Sequence, residues 1–168
     1  MSRCFVLPVL WFLISPLASG QPGMSAQGIP DDTMITLQRG NCESGCPEYR
    51  IVIFANGDVI WQGLSRVART GLVASRIERN AVRKLLAEFE ALDYFRLRNV
   101  YGFRGSGCPP TDVGKSMVTT SLSSGGRSQT ISHYSGCAGG VGDKLTALEH
   151  SIDETAVTRR WISGAGSK

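Results

Sequence analysis

Apolar residues follow two rhythms along this chain, and the switch between them predicts its elements. Between Pro47 and Gly63 the rhythm is two: Tyr49, Ile51 and Ile53 alternate with Arg50, Val52 and Phe54, and a second run, 58–62, follows the dipeptide Asn56-Gly57. Asn-Gly supplies the positive φ angles that a tight hairpin turn needs, so a β-hairpin is expected. Residues 33–39 read as a preceding strand and 65–76 as a following one, which together make a meander. From Glu78 the rhythm changes, with Val82, Leu85, Leu86, Phe89 and Leu92 at helical spacing, and an amphipathic helix is expected over 79–92. A second hairpin is expected from 115–122 and 127–134, joined by Ser123-Ser124-Gly125-Gly126. A final helix over 143–155 then buries Leu145, Leu148 and Ile152. Grouped strands and helices of this kind predict an α+β fold, an antiparallel sheet of hairpins and meander with two helices packed on it.

The two ends lack these rhythms. Residues 1–20 carry one positive charge, Arg3, then an apolar run from Phe5 to Leu17 ending in Ala18-Ser19-Gly20, the pattern of a secretory signal peptide cleaved before Gln21. The run is short for a membrane span and is interrupted by Pro8 and Pro16. Cys4 precedes it, so it is not placed as a lipid-attachment cysteine. Residues 21–32 read as a flexible leader, 33–164 as a single domain and 165–168 as a disordered tail. A soluble monomer in the periplasm or secreted is the expected product. Loss of Arg3 leaves 17 basic against 14 acidic side chains, a net charge of +3. The nearest clusters, Arg96, Arg98 and Arg104 around one loop and Arg159-Arg160 near the end, read as solvated surface, not as a nucleic-acid footprint.

Export changes the reading of the cysteines. Cys42, Cys46, Cys108 and Cys137 could be staples, metal ligands or a redox pair. Cys42 and Cys46 are spaced C-x3-C, unlike the C-x-x-C of redox pairs, and Cys108 and Cys137 lie too far apart for the two close pairs usual in zinc sites. An oxidising compartment favours disulfides. Of three possible pairings, Cys42 with Cys46 and Cys108 with Cys137 is favoured, the second clamping the loop before the second hairpin to the loop leaving it. Closing about 30 residues corresponds to roughly 3.5 kcal/mol and closing about 5 to roughly 2.

Other candidate chemistry is sparse. The chain has two histidines, His133 on a strand and His150 on the last helix beside Glu149, and neither lies in a nucleophile motif. A small hydrolase would use His133 with Asp112, and a metal-handling protein Cys42, Cys46 and His133. Both are alternatives to a structural role. The glycine-rich stretch 136–144 fails the phosphate-loop pattern because Asp143 separates Gly142 from Lys144, and Asp143 is expected to cap the helix instead. Asp112, Glu43, Glu48, Asp58 and Asp153 show no spacing that pairs two of them. No cofactor is implied. The long connection 99–113 holds Tyr101, Phe103, Arg104 and Asp112, and these four mark a possible binding surface.

One further pattern lies in the order of short segments. Cys42-x3-Cys46-Pro47-x-Tyr49 leads into the hairpin with Asn56-Gly57-Asp58-Val59, Trp61 and Gly63. It is followed by Phe89, Asp93 to Leu97, Thr111-Asp112, His133 to Cys137, Leu148-Glu149, Ile152-Asp153 and Thr158 to Trp161. This series resembles a bacterial family, the domain of unknown function 6438, whose members open such a hairpin with G-x-C-P-x-Y. The resemblance spans roughly residues 33 to 162. It implies an exported or envelope-associated domain and carries over no catalytic residue. At Glu78-Arg79-Asn80 the chain departs from the Ser or Asp and Pro that start the helix in related sequences. A non-enzymatic binding or interaction domain of the bacterial envelope is the expectation, its partner a protein or small ligand there.

Overall fold

A computed structural model describes residues 28–102 and 113–164. Seven strands form one sheet: β1 (Met34–Arg39), β2 (Glu48–Phe54), β3 (Asp58–Ser65), β4 (Gly71–Arg76), β5 (Val100–Tyr101), β6 (Met117–Ser124) and β7 (Arg127–Tyr134). Their order is β4-β3-β2-β1-β6-β7-β5. The expected meander is present, and β6 joins its free side by pairing antiparallel with β1. Between the edges runs α1 (Arg79–Ala91), then a 3-10 turn (Tyr94–Arg96), and β5 pairs parallel with β7. This one parallel strand departs from the all-antiparallel expectation. After β7 come α2 (Val141–Ala156) and a short α3 (Arg159–Ile162).

Alternation decides which face each strand buries. Ile35 and Leu37, then Tyr49, Ile51 and Ile53, then Val59 and Trp61, then Val118, Leu122 and Ile131 all point to one side. There Val82, Leu85 and Phe89 of α1 and Leu145, Leu148 and Ile152 of α2 complete a single core. Both long helices thus cover the same face. Glu78 caps α1 without a side-chain hydrogen bond, so packing of the apolar stripe, not a capping residue, sets this helix.

Several local expectations are corrected. The first hairpin turns through 55–57, where Gly57 and not Asn56 has a positive φ. The strand predicted over 65–76 is split, and only 71–76 pairs with β3. Residues 66–70 turn over the end of the sheet, where Ala68 and Arg69 donate N–H bonds to Ile162 and Trp161 of α3, and the Trp61 indole donates to Arg69 O. Gly63 permits this closure, since a Cβ there would lie 2.0 Å from Arg69 O. The aromatic stack Tyr49–Trp61–Trp161, with centroids 4.5 and 5.2 Å apart, lies beneath it.

The leader expected over 21–32 gives way to packed chain by Ile29, which is buried. Asp32 accepts the N–H groups of Gly125 and Gly126, the two positive-φ residues that turn the second hairpin. These bonds hold its carboxyl below the usual range. The turn is therefore two residues long, and Ser123 and Ser124 belong to β6. Asp143 does not occupy the cap position of α2, which is Gly140; its carboxylate receives the N–H of Gly139 from inside the first turn.

Candidate functional site

The covered face carries the closest assembly of titratable groups among the described residues. Arg39 shares the inward parity of Ile35 and Leu37, and in the sheet it lies opposite Tyr49. His133 points inward from β7 two residues after Ile131. On α2, Glu149 and Asp153 are four residues apart and so project from one side of the helix. Arg39 Nε donates to Asp153 Oδ2 at 2.8 Å and a second guanidinium nitrogen lies 2.7 Å from the same oxygen. Asp153 Oδ1 accepts the Tyr49 hydroxyl at 2.8 Å and the Thr158 hydroxyl at 3.1 Å. Glu149 lies 3.8 Å from Arg39 through one oxygen and 2.8 Å from His133 Nδ1 through the other.

Burial opposes the charge on Arg39 most strongly, but Asp153, Tyr49 and Glu149 together outweigh it and the pKa of Arg39 is raised. Burial and the same carboxylate push the Tyr49 phenol up. His133 and Glu149 are each 1% exposed, and His133 Nε2 is buried without a hydrogen-bond partner among the described residues. A histidine oriented by a carboxylate is half of an acid-base pair, but it needs a reachable substrate and a nucleophile. Here the pair is sealed between β7 and α2. Its evident work is to tie β1, β2 and β7 to α2 through satisfied charges.

The sequence-predicted residues fall unevenly around this cluster. Cys42 and Cys46 form a disulfide, with an S–S distance of 2.07 Å. It closes the turn between β1 and β2 and removes the two thiolates that a metal site with His133 would need. Among the described residues no three side chains converge as metal ligands. Cys137 is also disulfide-bonded and its sulfur lies 3.9 Å from Tyr101 O; Cys108 lies outside the described residues. So do Phe103, Arg104 and Asp112. Tyr101 is buried, and its hydroxyl accepts the N–H of Arg98, so its ring anchors the long connection and is not part of an exposed surface. His150 is exposed, as expected from its place on the helix. Of the five carboxylates weighed in the sequence, Asp153 meets one outside that set, Glu149, and the two share Arg39.

The opposite face of the sheet is different in kind, because no described element packs on it. Among the described residues, five of the seven exposed large apolar side chains, Phe54, Leu64, Leu72, Val100 and Met117, have outward parity there, with Leu72 71% exposed. At the Phe54 end lies a concavity of about 720 Å3, lined by Phe54, Asn56, Asp58, Ile60, Ala74 and Arg79 among others. Toward β6 and β7 the same face becomes a field of hydroxyls. Thr36 meets Ser121, Thr119 meets Ser132 at 3.3 Å, and Ser123 meets Ser128 at 3.0 Å. Sequence reasoning sought a surface in the loop and missed this one, although the strand parity already separates these residues from the core.

Taken together, these features define an α+β domain whose covered face holds a sealed ionic cluster and whose other face is open. A family model described as Domain of unknown function (DUF6438) matches residues 33–156, and the chain belongs to that family. The matched span runs from the residue before β1 to the end of α2. A search of curated proteins finds no match.

Proposed function

We propose that this protein is an exported binding domain of the bacterial envelope, periplasmic or secreted, that engages its partner through the open face of the sheet. The observation that carries the reading is that this face bears no described element and exposes Phe54, Leu64, Leu72, Val100 and Met117, spread from β4 at one edge to β5 at the other. A sheet face that exposes apolar side chains and carries no described element is a candidate interaction surface. Two further features support the location: the signal-like pattern of residues 1–20, and the Cys42–Cys46 disulfide, which persists in oxidising compartments. The favoured Cys108–Cys137 staple belongs to the same reading and would fasten the long connection beside β7.

The reading is tested with protein recovered from the envelope fraction. Its intact mass should begin at Gln21 and fall by about 4 Da relative to the reduced form, two hydrogens for each of two disulfides. Leu72→Glu combined with Phe54→Glu should abolish co-purification of an envelope component. Lys84→Glu, on the exposed side of α1, should leave it intact. Loss with the α1 variant and retention with the sheet variant would refute the open face as the binding surface.

A further inference from the structure

The open face carries one line of polar groups that the fold itself does not use. Gln62 on β3 lies opposite Arg50 on β2, and Arg50 lies opposite Gln38 on β1. Gln38 lies opposite Thr119 on β6, which lies opposite Ser132 on β7. These five side chains form a straight belt across adjacent strands, spanning about 19 Å at the usual strand spacing of about 4.8 Å. Gln62, Arg50 and Gln38 are exposed, and none has a side-chain hydrogen bond or ion pair among the described residues. Thr119 and Ser132 bond to each other at 3.3 Å and keep further donor and acceptor capacity.

The charges on this face are not equally available. Asp58 is held by Arg76 at 3.2 Å and by the Asn56 amide, and Glu48 receives the Ser65 hydroxyl. Arg50, between Gln62 and Gln38, has no ion-pair partner among the described residues. A guanidinium flanked by two carboxamides matches a carboxylate set among hydroxyl groups, since the fork binds the carboxylate and the amides bind vicinal hydroxyls. Along one side of the belt run Ile60 and Val52, an apolar strip able to meet the C–H face of a sugar ring. The strand repeat presents one polar group per step, on the length scale of one pyranose in an extended chain.

We infer that the belt binds a linear carboxylate-bearing polysaccharide laid across the strands, with Arg50 on a carboxylate and Gln38, Gln62, Thr119 and Ser132 on ring hydroxyls. A single cation in the belt does not supply the several phosphate contacts on which nucleic-acid affinity rests. A second copy packed face to face would set Arg50 against Asp58 and Glu48, which are already engaged. The inference rests on the open-face reading and gives it a ligand class.

Affinity electrophoresis of the full mature protein tests it, with polygalacturonate as probe, its methyl ester as the uncharged form of the same backbone and polyglutamate as a polyanion without sugar rings. Retardation by polygalacturonate is expected, with at least a tenfold weaker response to the methyl ester and to polyglutamate. Arg50→Gln should weaken the polygalacturonate response at least tenfold, and Gln38→Ala and Gln62→Ala severalfold each. All three positions are exposed, and an unchanged melting temperature in each variant excludes misfolding as the cause. No retardation by polygalacturonate, equal binding of polyglutamate, or undiminished binding by Arg50→Gln would each overturn the ligand class. If the ligand class fails while Leu72→Glu with Phe54→Glu still abolishes co-purification, the open face stands without it; if both fail, both readings fall.

Discussion

The two faces of this sheet are built from the same strands and put polar side chains to opposite uses. On the covered face, Arg39, Tyr49, His133, Glu149, Asp153 and Thr158 interlock, and nearly every donor and acceptor is matched. On the open face, Gln38, Arg50 and Gln62 reach outward and bond to nothing described. A buried polar group without partners costs free energy, and in the covered cluster that cost is confined to His133 Nε2 among the described residues. An exposed group has water as its partner and is free to exchange it for a ligand. Polarity alone therefore does not mark a functional site; what marks it is polarity that the fold leaves unspent.

The comparison can be broken most forcefully at the covered cluster. Asp153→Ala removes the partner of Arg39, Tyr49 and Thr158 together, and uncompensated buried charge of this kind costs about 3–5 kcal/mol. The urea midpoint should fall accordingly; a loss below about 1 kcal/mol would show that water reaches the cluster. Next in size is the turn at the edge of the faces. Cys42→Ser with Cys46→Ser releases a loop of about five residues and should lower stability by roughly 2 kcal/mol while leaving the sheet intact by circular dichroism.

A third test uses pH. Burial raises the Tyr94 phenol to about 12, against the opposing bonds to Thr120. A raised phenol pKa stabilises the fold fully below the unfolded value of about 10, and that contribution is lost as pH rises through about 12. Urea midpoints measured upward from neutral pH should therefore decline in this window. Tyr94→Phe should flatten the decline to the part contributed by Tyr49. An identical slope in the variant would mean that Tyr94 is not sealed beneath the sheet. The smallest effect belongs to the open face: Gln62→Ala should change stability by no more than about 0.5 kcal/mol, as judged by the urea midpoint.

Much of the fold was legible because it rests on local signals. Gly57 and Gly125-Gly126 turn the two hairpins through positive φ angles, and the stripe from Val82 to Leu92 marks α1 through its period. The split of 65–76 was not legible. It depends on Ala68 and Arg69 bonding to Ile162 and Trp161, residues more than 90 positions away, and no local pattern encodes such a contact. Similarly, β5 pairs with β7 only because α1 carries the chain across to the far edge.

The candidate sites divide in the same manner. Glu149 and Asp153 share a helix side by their spacing, and Arg39 follows inward-facing Ile35 and Leu37, so the cluster could be half seen. Its assembly needed the docking of α2 on β1. The belt needed less, since outward parity identifies Gln38, Arg50 and Gln62 individually; only the sheet register places them in one row. Tyr101 shows the converse failure, where an aromatic residue in a long connection proved to be its buried anchor.

Hydroxyl-radical footprinting of the protein, free and mixed with envelope extract from its own source, tests the division of labour between the faces most directly. Protection is expected at Phe54, Leu64, Leu72 and Met117 on the open face, with no change at Leu86 and Phe95 on the helical side. Protection of the helical side with the open face still reactive would contradict the account.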